Sequence, residues 1–77
     1  MVFPIYRKYK NNKSYFRIIS ENEVEELKLV GKGYILFKIT STQLPERNLI
    51  QDMIYDYEAN WESITEEEFR TIESLTQ

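Results

Sequence analysis

Seventy-seven residues of 9.3 kDa, 42% hydrophobic and 30% charged, are enough for one small core and too few for two. The chain has no cysteine and no histidine, which removes disulfides, Cys/His zinc sites and any Ser-His or Cys-His mechanism within one chain. Its net charge of −3 is sorted: residues 1–20 hold five cations and no acid (+5), while residues 21–77 hold five cations and thirteen acids (−8). A chain sorted this way can pair its charge internally on folding or show opposite poles to partners.

Eleven aromatic residues set it apart from disordered sequences. The apolar start Met1–Tyr6 runs at once into Arg7, Lys8 and Lys10, leaving no apolar core for a signal peptide, and no run of about 18 apolar residues can span a bilayer. With no disulfides either, the expectation is a cytoplasmic protein with no membrane contact. The sequon Asn12-Lys13-Ser14, without an export signal, carries no expectation of glycosylation.

Up to about Thr40 the apolar residues alternate with period two, and after Pro45 they recur at helical spacing. Val2–Tyr9 and Ser14–Ile19 flank Lys10-Asn11-Asn12-Lys13, and asparagine tolerates the positive φ of a tight hairpin turn. The hairpin pairs Ile5 with Ile18, Tyr6 with Arg17, Arg7 with Phe16 and Lys8 with Tyr15. A second hairpin joins Glu25–Val30 to Tyr34–Thr40 through Gly31-Lys32-Gly33. A three-residue loop with Gly33 in the left-handed position sets Val30 against Tyr34, Leu29 against Ile35, Leu27 against Phe37 and Glu26 against Lys38. The four strands then form an antiparallel meander.

Thr40-Ser41-Thr42 reads as the exit from the sheet. Pro45 suits a helix start, and Leu49, Ile50, Met53, Ile54, Tyr57 and Trp61 form one stripe of a helix running to about Trp61. Thr65 with Glu68 three residues on is a capping box, and Ile64 can staple to Phe69. The short helix that follows turns Phe69, Ile72 and Leu75 inward. The expected fold is α+β in two layers: a four-stranded antiparallel β-meander (1–40) and a C-terminal helical pair (44–77), within one domain spanning 1–77. Both helices cover the sheet face made by Phe3, Ile5, Phe16, Ile18, Leu27, Leu29, Ile35, Phe37 and Ile39.

Chemistry-bearing patterns are few. Gly31-Lys32-Gly33 lies in a hairpin turn, not between a strand and a helix, so it is no phosphate loop. Glu66, Glu67 and Glu68 match the positive end of a helix dipole, and Asp52 and Asp56 lie one turn apart on a wet face. No catalytic residue, metal ligand or cofactor site is expected. The constellation that stands out is the outer sheet face, where Tyr6, Lys8, Tyr15, Arg17, Tyr34, Leu36 and Lys38 project together. Tyrosine beside a cation can enter a protein interface, stack unpaired bases or simply cover itself. Glu26, expected beside Arg17 and Lys38, counts against nucleic acid.

The preferred reading is a small non-catalytic domain that binds another protein, including its own copy as a homodimer, through the Tyr/Lys/Arg sheet face or a strand edge. A single-stranded nucleic-acid binder using the same face is the alternative. An enzyme with a carboxylate or tyrosine as acid or base ranks third.

Overall fold

A computed structural model describes residues 2–41 and 44–76, with the backbone alone at 44–46. The chain runs β1 (Ile5–Tyr9), β2 (Ser14–Ser20), β3 (Glu23–Val30), β4 (Gly33–Thr40), α1 (Leu44–Tyr55), β5 (Trp61–Ser63) and α2 (Glu66–Glu73). The α+β class and the antiparallel meander followed by helices are as the alternation and capping signals imply, with a fifth strand added: the sheet order is β4-β3-β2-β1-β5. Thr42 of the expected sheet exit lies outside the described residues.

The first hairpin has the expected register, Ile5 opposite Ile18 through Lys8 opposite Tyr15. Asn12 takes the positive φ (62°) and its N–H donates to the Tyr9 carbonyl at 2.9 Å. The second hairpin differs. Gly31, not Gly33, carries the positive φ (64°), so the turn is the two-residue Gly31-Lys32, and Val30 pairs with Gly33. Glycine at the first central position is what a primed two-residue hairpin turn needs. The shift of one residue places Leu29 opposite Tyr34, Leu27 opposite Leu36, Glu26 opposite Phe37 and Glu25 opposite Lys38.

That slip moves every side chain of β3 to the other face relative to β4. Leu27 and Leu29 therefore join Tyr15 and Tyr34, and Glu26 joins Phe16 and Phe37. The expected single apolar face is corrected accordingly. Phe16, Ile18 and Val24 bury one side of the sheet under Ile50, Met53 and Ile54 of α1, while Leu27 and Tyr15 bury the other side under Phe69 of α2. The helices lie on opposite faces, making three layers, not two. Val24 and Leu27 are both essentially sealed from solvent although an odd spacing puts them on opposite sides, which only a sheet covered on both faces rewards.

α1 ends at Tyr55, short of Trp61. Its last turn has no basic residue, and Asp52 and Asp56 place negative charge at the negative end of the helix dipole. The chain turns at Glu58–Asn60, with the Trp61 N–H donating to the Tyr57 carbonyl at 2.8 Å. β5 then pairs with β1, setting Trp61 opposite Tyr9 and stacking the two rings at 5.7 Å. α2 starts where the capping box puts it, Thr65 Oγ1 accepting from the Glu68 N–H at 3.1 Å. Phe69 turns inward as expected, Ile72 is half-buried, and Leu75 is exposed beyond the helix end.

Candidate functional site

All seven residues singled out from the sequence, Tyr6, Lys8, Tyr15, Arg17, Tyr34, Leu36 and Lys38, share one sheet face. The expectation that this face is open does not hold, because α2 lies across it. Phe69 packs against Tyr6 at 5.5 Å between ring centroids, and the Arg17 guanidinium sits 4.5 Å above the Phe69 ring. The acid-rich helix also neutralises the cations. Lys8 lies 3.5 Å from Glu68 and 3.6 Å from Glu62 of β5; Arg17 pairs with Glu73 at 3.1 Å and Glu25 at 2.9 Å; the Tyr6 hydroxyl donates to Glu66 at 3.3 Å. Two of the five cations in the first twenty residues, Lys8 and Arg17, are thus paired with acids of the later chain.

Desolvation opposes the charged form of Lys8, but Glu68, Tyr15 and Glu62 together outweigh it and raise the ammonium above its ordinary value of 10.5. Burial raises the Tyr15 phenol above 10.0, with Lys8 partly offsetting it, and burial also raises Tyr9, aided by Glu26. Groups that hold protons more tightly when folded give stability that is complete below their unfolded values and is lost as pH climbs through the folded ones. Urea midpoints are therefore expected to stay level to about pH 9 and to fall above about pH 10. A Tyr9→Phe/Tyr15→Phe variant should lose less over that window; a wild-type midpoint that climbs there contradicts the packing of these phenols.

Leu36 and Lys38 lie outside the cover of α2, on the edge strand β4. Ile35, Leu36 and Phe37 are all exposed, as are Leu29 and Val30 of β3. Apolar side chains thus emerge on both faces of one hairpin. Among the described residues no strand pairs with the outer side of β4. The Ser41 N–H donates to the Asn22 carbonyl at 2.7 Å and the Leu29 N–H to the Lys13 carbonyl at 2.8 Å, which fixes the alternation of both ladders. Gly33, Ile35, Phe37 and Ile39 bond inward to β3; Tyr34, Leu36, Lys38 and Thr40 point their N–H and C=O groups outward. Tyr34 is met there by Thr76 in a parallel bridge.

Edge strands are usually protected by brevity, charge, proline or a bulge. β5, the opposite edge, is three residues long and carries Glu62. β4 is eight residues long with one charge, Lys38, and an unbroken register to β3. The sequence reading missed this asymmetry in detail, although Ile35-Leu36-Phe37, three consecutive apolar residues in a strand, is its signal: in an edge strand covered on one face only, at least one of them must be exposed.

An open cleft of about 440 Å³ is lined by Tyr9, Lys10, Asn11, Leu49, Asn60 and Trp61. No carboxylate among the described residues lines it. Among the described residues no group of three or more acidic side chains is placed to hold a metal ion, and no helix is long and apolar enough to cross a membrane. Comparison with protein-family models, with curated proteins and with solved structures finds no match to this chain.

Proposed function

We propose that this chain is a small non-catalytic protein-interaction domain that binds by strand addition at β4. The observation that carries the reading is the combination on one strand: outward backbone groups at Leu36 and Lys38 that meet no partner among the described residues, apolar side chains on both faces, and almost none of the usual edge protection. Main-chain bonds supply affinity in this mode, and the flanking side chains supply selectivity. The nucleic-acid alternative loses support because Tyr15 is buried and Lys8 and Arg17 already hold carboxylates. A catalytic reading finds little to stand on in the cleft beside Tyr9, whose phenol burial raises away from use as a base at neutral pH.

Leu36→Pro tests the edge selectively. Proline there removes an outward N–H and sets its ring over the edge, but breaks no bond to β3. The variant is expected to keep its strand content and a cooperative melt while losing the partners that wild-type protein retains in a pull-down from its native source. A folded Leu36→Pro protein that retains every wild-type partner would sink the reading.

A further inference from the structure

We propose, building on the edge-strand reading above, that the strand received by β4 is β4 of a second copy, paired antiparallel about a two-fold axis at Phe37. Sheet geometry limits the choices. Residues facing each other across a continuous sheet lie on the same face, so a two-fold perpendicular to the sheet must pass through a residue of β4 and not between residues. Three centres keep the apolar segment in register: Leu36, Phe37 and Lys38.

Lys38 at the axis sets the strand's one charged side chain against itself, and like charges directly opposite destabilise a sheet. Leu36 at the axis needs Tyr34 to bond with Lys38 of the second copy, yet the outer side of Tyr34 is already taken by Thr76. Phe37 at the axis avoids the first obstacle and leaves only the end pair to the second, since Tyr34 then faces Thr40, the last residue of β4. Leu36 then bonds with Lys38 of the second copy, and Lys38 with its Leu36, using the unoccupied outward groups in about four main-chain hydrogen bonds. Phe37 meets the second Phe37 as a non-bonded pair, the closer kind, at about 4.5 Å between Cα atoms, and Ile35 meets Ile39.

Charge is compatible with this register. Each Lys38 faces a leucine, beside its own cross-strand Glu25. The two Glu26 side chains, each next to Phe37 on β3, end up about 14 Å apart across three strand spacings, where salt screens them. The area sets the strength. Ile35, Leu36 and Phe37, each 39–45% exposed, together show roughly 250 Å² per copy at about 200 Å² for a large side chain. A standard interface takes about 800 Å² from each partner, so this is a reversible dimer and not an obligate one. The two buried clusters centre on β1–β3, and among the described residues Thr76, opposite Tyr34, is the one partner on the outer side of β4.

The absence of cysteine allows single thiols to report the register. Under mild oxidation of the full chain, Phe37→Cys is expected to form a disulfide dimer about tenfold faster or more than Leu36→Cys, Ile35→Cys or the distant control Glu58→Cys. An equimolar mixture of Leu36→Cys and Lys38→Cys, which keeps Phe37, is expected to give the mixed dimer at a similar advantage. Fastest crosslinking by Leu36→Cys alone would overturn the Phe37 register while leaving the edge reading intact. If no variant outpaces Glu58→Cys and wild-type protein sediments as a monomer at the same concentration, self-pairing is overturned, and the Leu36→Pro pull-down decides separately whether β4 receives some other chain.

Discussion

Phe69→Ala is expected to lower stability by about 3–5 kcal/mol, the cost of emptying a fully packed aromatic position. Phe69 is 0% exposed and is the residue through which α2 closes the second face of the sheet, against Tyr15, Leu27 and Tyr6. Its removal leaves a void under Arg17 and strips the helix of its one fully buried anchor, so Glu68 and Glu73 must hold α2 with partly exposed ion pairs worth little each, helped by the Tyr6 hydroxyl on Glu66. In a domain of this size one kcal/mol moves the melting temperature by about 4–8 °C, and total stability is about 5–15 kcal/mol. Thermal denaturation followed by circular dichroism should show a fall of well over about 10 °C, or no cooperative transition. Phe37→Ala is the matched control: at 45% exposure it should cost no more than about 1.5 kcal/mol in the monomer. Equal losses at the two phenylalanines would refute the placement of α2.

Arg7→Ala is expected to cost about 3 kcal/mol, because this arginine ties three elements together and leaves buried groups unpaired when it goes. Arg7 is 9% exposed. Its Nε–H donates to the Met53 carbonyl at 2.9 Å, one of the last four carbonyls of α1, which have no partner within their helix. An Nη1–H donates to the Tyr6 carbonyl at 2.9 Å and to Ser63 Oγ of β5 at 3.3 Å, and the guanidinium lies 3.9 Å above the Tyr57 ring. Among the described residues no carboxylate forms an ion pair with it. Burial lowers its pKa, yet a guanidinium stays charged in a protein. The charge is held instead by carbonyl oxygens, the negative end of α1 and an aromatic face. Arg7→Lys should recover less than half of the loss, since an ammonium cannot place a planar fork on Met53, Tyr6 and Ser63 at once. Urea unfolding would expose the error if Arg7→Ala matched wild type to within about 0.5 kcal/mol.

What was legible in the sequence follows from local physics. The Asn-Asn turn fixed the first hairpin because its pairing depends on a few adjacent residues, and the Thr65–Glu68 capping box located α2 because a cap is satisfied within one helical turn. Alternation within single strands correctly grouped Tyr6 with Lys8, Tyr15 with Arg17, and Tyr34 with Leu36 and Lys38. Helical spacing correctly turned Ile50, Met53 and Ile54 toward the core.

Tertiary structure decided what period alone leaves open. In β3, Val24 suits one face and Leu27 and Leu29 the other, so its parity is set by the turn, and either glycine of Gly31-Lys32-Gly33 can supply a positive φ. The choice of Gly31 shifted β3 against β4 by one residue and went with a sheet buried on both sides. Trp61 satisfied the helical stripe as well as it satisfies β5, and the stack on Tyr9 settled the matter. The residues of the sheet face rich in tyrosine and cations were grouped correctly, but the face was expected open and its occupant was unseen: only docking of α2 revealed that acids of the second half fold back onto Lys8 and Arg17 of the first. Local bonding fixes turns, caps and strand faces in the sequence itself, whereas which covered face each element meets depends on long-range burial, and that exists only once the chain has closed.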